Sequence, residues 1–200
     1  MTVTAPIRPL SGSMDLDEFA AFLKTRPDEE RWHLVEGIAM MMAPPTLAHQ
    51  RIAGNLCELL NRSFAAKHLD LYAYHEIAVR VPGVANFQPE PDVVVAPGIS
   101  GHQSYPERFF LVAEVLSPSN TRAEIGLKLR RYRESPDNLY MLVIGPHDFS
   151  IEIHAKRHDW RPVKLSRPDD LVELPELSLT CPVIDLYRGT PLAPQGRATQ

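Results

Sequence analysis

The chain has 200 residues, 44% of them apolar and 23% charged, a globular balance with enough length to bury one core and too little imbalance for wholesale disorder. Its 21 Lys and Arg against 25 Asp and Glu leave a net charge of −4, which excludes a wholly basic nucleic-acid or membrane surface and confines any phosphate-binding face to a local patch. Proline, at 19 positions, is about twice its usual share and disfavours a bundle of long helices.

The first 13 residues lack a basic stretch followed by an apolar one, so no secretory signal is expected. No apolar run reaches the ~18 residues that span a bilayer. Cys57 and Cys181 form neither a disulfide framework nor a zinc spacing, which fits a reducing compartment. A cytoplasmic protein is the expectation. Ser13 can cap a short helix in which Leu16, Phe19, Ala20 and Leu23 share a face. Residues 32–42 read as a hairpin around Glu36-Gly37, the glycine supplying a positive φ. Thr46 is the N-cap of the longest helix, reaching about Lys67, with Ile52, Leu56, Leu59, Leu60 and Phe64 as its stripe.

Strands are predicted over 71–81, 93–96 and 109–116, the last so uniformly apolar that it belongs at the centre of a sheet. A helix over 121–134 follows, then strands over 140–144 and 149–154 with Phe149, Ile151 and Ile153 facing inward. Residues 160–165 are expected as an edge strand, and 171–179 as a leucine-spaced segment broken by Pro175. One domain over 1–190 and a disordered tail over 191–200 complete the reading.

Chemistry is concentrated in two acids. Asp92 opens the apolar run Val93-Val94-Val95-Ala96, and Glu114 interrupts an apolar stretch from Phe109 to Leu116. An ionised carboxylate in a central strand costs several kcal/mol unless a cation or good donors offset it. If the two strands are neighbours, period-two alternation lets both acids share a face, where their oxygens suit magnesium. Each acid alone also has an ordinary reading, Asp92 as a turn residue after Pro91 and Glu114 as a strand-end residue paired with an arginine. On the next helix Glu124 and Lys128 are four apart beside the packing stripe of Ile125, Leu129 and Tyr132, so Lys128 can reach back toward the acids. Thr121-x-x-Glu124 is equally a capping box. Arg122, Arg130 and Arg131 make this helix locally basic and are the candidate DNA-phosphate contacts.

The strings Pro91-Asp92-Val93-Val94-Val95-Ala96, Leu111-Val112-Ala113-Glu114-Val115-Leu116-Ser117-Pro118-Ser119 and Glu124-x-x-x-Lys128-x-x-x-Tyr132 resemble the Uma-type restriction endonucleases of the PD-(D/E)XK nuclease superfamily. The likeness extends to Leu34-Val35-Glu36-Gly37, to Ala43-Pro44-Pro45 with His49-Gln50, and to Leu174-Pro175-Glu176-Leu177 and Asp185-Leu186-Tyr187. It implies an α/β (α+β) restriction-endonuclease-like core, a mixed sheet flanked by helices. It also implies Mg²⁺ or Mn²⁺ held by Asp92, Glu114 and the backbone carbonyl of Val115, with Lys128 in place of the lysine that the superfamily carries two residues after the glutamate, where this chain has Leu116. Glu36 is then the remaining acidic support at the hairpin, because His33 and Ile38 stand where relatives tend to carry acids. The inward-facing His49, in line with Ile52 and Leu56, gains a role next to the site or on phosphate.

The function so implied is metal-assisted hydrolysis of DNA phosphodiester bonds, with Lys128 positioning the attacking water and a 5′-phosphate and 3′-hydroxyl as products. Two strands need two cutting sites, so a homodimer is expected, although no stripe demands one. The altered acidic positions motivate an alternative, a catalytically degenerate nuclease fold acting as a DNA-binding or assembly module. A glycosidase pair fits poorly, since few aromatics lie near the acids. Neither Ser117 nor Ser119 sits in a nucleophile elbow, and His147, His154 and His158 match no zinc spacing.

Overall fold

The computed structural model describes residues 13–99, 104–118 and 120–193. Ser119 and the tail beyond residue 193 therefore lie outside the described residues. Helix α1 (Leu16–Leu23) is capped by Asp15 and not by Ser13: Asp15 accepts from the backbone of Asp17 and Glu18, and Glu18 reaches back to the Asp15 N–H. Strands β1 (Trp32–Val35) and β2 (Ile38–Met41) pair as a hairpin. Both residues of its turn have positive φ, Glu36 at 50° and Gly37 at 75°, as a tight two-residue hairpin turn requires. A Cβ on Gly37 would also fall 1.7 Å from Ser13 Oγ, so a larger residue there would displace Ser13 as well as strain the turn.

Helix α2 (Leu47–Ala66) starts at Thr46, whose side chain accepts from the His49 N–H. The main sheet has six strands in the order β3-β4-β5-β6-β7-β8: β3 (Leu71–His75), β4 (Val93–Pro97), β5 (Leu111–Val115), β6 (Tyr140–Gly145), β7 (Ser150–Ala155) and β8 (Pro162–Leu165). All neighbours are antiparallel except β5 and β6. That parallel pair is joined by helix α3 (Arg122–Tyr132), since a parallel neighbour cannot be reached by a tight turn. The expected central place of β5 and edge place of β8 are both observed.

Alternation along the strands sends side chains to two different cores. Val93, Val95, Leu111, Ala113 and Val115 pack against Ile52, Leu56, Leu60 and Phe64 of α2. Val94, Val112 and Met141 face the other way, toward Val35, Val79, Phe87, Phe109 and Tyr132. A smaller core of Phe19, Trp32, Leu34 and Ala39 joins α1 to the hairpin.

Two expected elements differ. The strand predicted over 71–81 ends at His75, because Glu76 turns with φ of 49° and its carboxylate is held by Arg31 and Gln50. Val79 and Val81 then fill the second core from a loop. The segment over 171–179 is a hairpin of β9 (Leu171–Leu174) and β10 (Leu179–Pro182) around a 3₁₀ turn at Pro175–Leu177, followed by α4 (Val183–Leu186). Its buried Val172 and Leu174 follow a period of two, which leucine spacing alone conceals. Residues 191–193, read as tail, include Ala193, which bridges back to Arg188 and Thr190.

Candidate active site

Asp92 and Glu114 each lie one residue beyond the antiparallel pair Val93 and Ala113, so alternation turns both to the face occupied by Val94, Val112 and α3. They stand side by side at one end of two neighbouring buried strands. Asp92 is 7% and Glu114 6% exposed. They form the inner wall of a cavity of about 930 Å³ bounded by the β1–β2 hairpin, the start of α2 and helix α3.

Each acid is held at both oxygens. The Val115 N–H donates to Asp92 Oδ2 at 2.6 Å, and His49 Nε2 lies 3.3 Å from Oδ1. Lys128 Nζ donates to Glu114 Oε2 at 3.1 Å, and the Tyr132 hydroxyl donates to Oε1 at 2.6 Å. Lys128 and Tyr132 meet one carboxylate because residues four apart share a helix face. Lys128 also lies 4.0 Å from Glu124 Oε1, so Glu124 serves as a rim partner of the lysine.

Burial raises the Glu114 pKa, and neighbouring Asp92 adds to this; Lys128 and Tyr132 oppose it. Burial would lower the lysine, but Glu114 outweighs it and holds Lys128 above its ordinary value as an ammonium. Burial likewise works against charge on His49, yet Asp92, the Val115 backbone and Glu76 raise its pKa overall. His33, buried on the cavity wall near Lys128, is pushed down to about 3 by burial and by that ammonium, so it stays neutral.

Glu36 borders the cavity, but Arg131 grips its carboxylate through both Nε and Nη2, the latter at 2.8 Å. The interaction holds Glu36 below the usual carboxylate range. Arg131 also bonds Glu134, which leaves it a brace between α3 and the hairpin turn. Arg130 borders the cavity, whereas Arg122 lies outside its lining. Sequence reasoning missed a network at the mouth: Arg31 bridges Glu76 and Glu90 through separate Nη atoms, and Gln50 supports Glu76. These partners lie 45 and 59 residues from Arg31, and no local spacing announces them.

Among the described residues no group of three or more His, Cys, Asp and Glu side chains is disposed to hold a metal ion. The groups that could hold a cation are the two carboxylates and the Val115 carbonyl, all hard oxygen. Each ionised carboxylate has about four acceptor positions, so the hydrogen bonds above leave lone pairs for a magnesium-type ion, which takes one or two carboxylates and keeps water and substrate phosphate as its other ligands.

The Uma2 family, described as "Putative restriction endonuclease", matches residues 16–183 of this chain. No curated protein matches the sequence. Among solved structures, a protein from Anabaena variabilis ATCC 29413 described as a putative nuclease belonging to DUF820 superposes with a TM-score of 0.71 at 18% identity, covering 87% of this chain and 97% of that one. At that identity the likeness establishes a common fold.

Proposed function

Given that this chain belongs to the Uma2 family, we propose that it is a divalent-metal-dependent DNA endonuclease hydrolysing phosphodiester bonds, with Mg²⁺ or Mn²⁺ held by Asp92, Glu114 and the Val115 carbonyl. The observation that carries this reading is the convergence of two buried acids from adjacent strands on one cavity wall, with the Lys128 ammonium beside them. The cavity supplies a further reason for a cation: seven carboxylates line it against three lysine and arginine side chains, a field that repels phosphate.

When bound, the ion would supply positive charge to a phosphoryl oxygen and acidify a water. The chain's own groups set the geometry for that chemistry. The Val115 N–H fixes the Asp92 rotamer, and Tyr132 fixes that of Glu114. Lys128 stays charged and donates toward the place where the attacking water and the phosphate must meet, so its charge needs no reorganisation during reaction. Arg130 at the rim meets the backbone of incoming DNA. Glu36 acts through Arg131, holding the hairpin over the cavity.

The alternative, a DNA-binding or assembly module without cleavage, is favoured by one observation: both acids are already engaged by protein donors. Incubation of the protein with Mg²⁺ or Mn²⁺ on duplex, single-stranded and branched DNA, beside Asp92→Asn, separates the two readings. Cutting by wild type alone supports the enzyme. DNA retention without cutting supports the module, and equal cutting by both proteins removes the assignment. Double-strand cutting would call for two copies on the DNA, which sedimentation of the complex tests.

A further inference from the structure

We propose that His49 is a resident placeholder in the cation position of this site, donating its ring N–H where a divalent ion would sit and giving way when the ion binds. The inference rests on the metal-site reading above and adds a competitor to it.

Three observations carry it. First, His49 Nε2 lies 3.3 Å from Asp92 Oδ1, and the Val115 backbone favours the protonated form of the same imidazole. One ring nitrogen therefore faces the Asp92 oxygen that the Val115 N–H leaves open, and that oxygen is where a cation held by Asp92 would approach. Second, Asp92 Oδ2 is tied separately to the Val115 N–H at 2.6 Å, so Asp92 and Val115 remain locked together whether or not the imidazole is present. Third, His49 Nδ1 is buried with no hydrogen-bond partner.

That third observation decides between a ligand and a placeholder. A metal-ligating histidine gives its other ring N–H to an acceptor, which fixes the tautomer and strengthens the ligating nitrogen. With no acceptor at Nδ1, the proton belongs on Nε2, facing Asp92 Oδ1, and Nε2 is a donor with no lone pair for an ion. The same lack leaves Nε2 as the ring's polar anchor among the described residues, so turning the ring away gives up its contact with Asp92 and no hydrogen bond at Nδ1. In the absence of an ion Lys128 offsets the repulsion between Asp92 and Glu114, and the imidazole covers the remaining Asp92 oxygen.

Calorimetric titration of Mn²⁺ into the full chain, without DNA, tests this. His49→Ala removes the competitor and is expected to tighten Mn²⁺ binding about tenfold, the worth of a hydrogen bond to a charged group. His49→Gln keeps an N–H donor and should restore an affinity near that of wild type. Asp92→Asn should abolish binding in every background. Weaker or unchanged binding in His49→Ala, with binding still lost in Asp92→Asn, overturns the placeholder and leaves the metal site standing. No Mn²⁺ binding by any variant overturns both. A readout independent of the variants' folding is the imidazole ¹⁵N spectrum of wild type with saturating Mg²⁺. A displaced ring keeps its Nε2 proton but changes position, whereas loss of that proton, or no change, overturns the proposal.

Discussion

Lys128 Nζ stands 3.1 Å from Glu114 Oε2 with the lysine 2% and the glutamate 6% exposed, which makes this pair the most deeply buried ion pair of the candidate site. Removing one member strands the other charge away from water. Lys128→Met is therefore expected to cost about 3–5 kcal/mol, read as a lower midpoint in urea unfolding. Glu114→Gln should cost a comparable amount, and the double variant should recover most of the sum. Additive losses would show that the two charges do not depend on each other.

Tyr132→Phe keeps the ring contacts with Phe87 and Phe109 and deletes only the hydroxyl that meets Glu114 at 2.6 Å. A hydrogen bond to a buried charged group is worth about 1.5–3 kcal/mol, and the loss should appear in thermal melts. Nuclease activity, where present, should fall as well, because Glu114 loses one of the two bonds that orient it.

Arg130 and Arg131 are neighbours in sequence with opposite expected behaviour. Arg130→Gln should weaken DNA binding and lower the salt dependence by about one phosphate's worth of counterion release. Arg131→Gln should leave the salt slope unchanged and instead lower stability, because its guanidinium is committed to Glu36 and Glu134. Fluorescence anisotropy at several salt concentrations, paired with melts, distinguishes the two.

His33 sets a pH limit on stability. Its folded pKa of about 3 lies below the ordinary 6.5, so between those values the unfolded chain binds a proton that the folded one refuses. The stabilisation it contributes is complete above pH 6.5 and is lost as pH falls toward 3, with a slope approaching about 1.4 kcal/mol per pH unit. His49 shifts in the opposite direction, so the quantity to measure is the difference in unfolding free energy between wild type and His33→Gln. Wild type should lose more stability on acidification than the variant across this window.

Outside the cavity lining, Asn55 on α2 donates to the carbonyls of Leu186 and Arg188, each at 2.8 Å. Asn55→Ala leaves those carbonyls without that donor and should cost about 1–3 kcal/mol. Amide exchange should speed up at Tyr187 and Thr190, whose backbone bonds close this turn, before it does so in the main sheet.

Local patterns carried much of the fold. The stripe of α2, the Glu36-Gly37 turn, the Thr46 and Thr121 caps and the unbroken apolar run of β5 are each legible because the interactions that form them lie within a few residues. Failures came where a distant group overruled local preference or a turn hid the period of its strands. Glu76 ends β3 early while held by an arginine 45 residues upstream. The β9–β10 hairpin read as leucine spacing because Pro175 interrupts its alternation at the turn.

The site divides in the same way. Sequence by itself determined that Asp92 and Glu114 are expensive in apolar strands and that Lys128 shares a helix face with Glu124 and Tyr132, since desolvation cost and helical period belong to a residue and its near neighbours. Only the tertiary structure decided that the two acids meet on one wall, that Lys128 pairs with Glu114 more closely than with Glu124, that Arg131 is spent on Glu36, and that the His49 ring lies against Asp92. Those choices depend on strand register and on how helices lie across the sheet, which bring together groups that the chain's own spacing leaves unrelated.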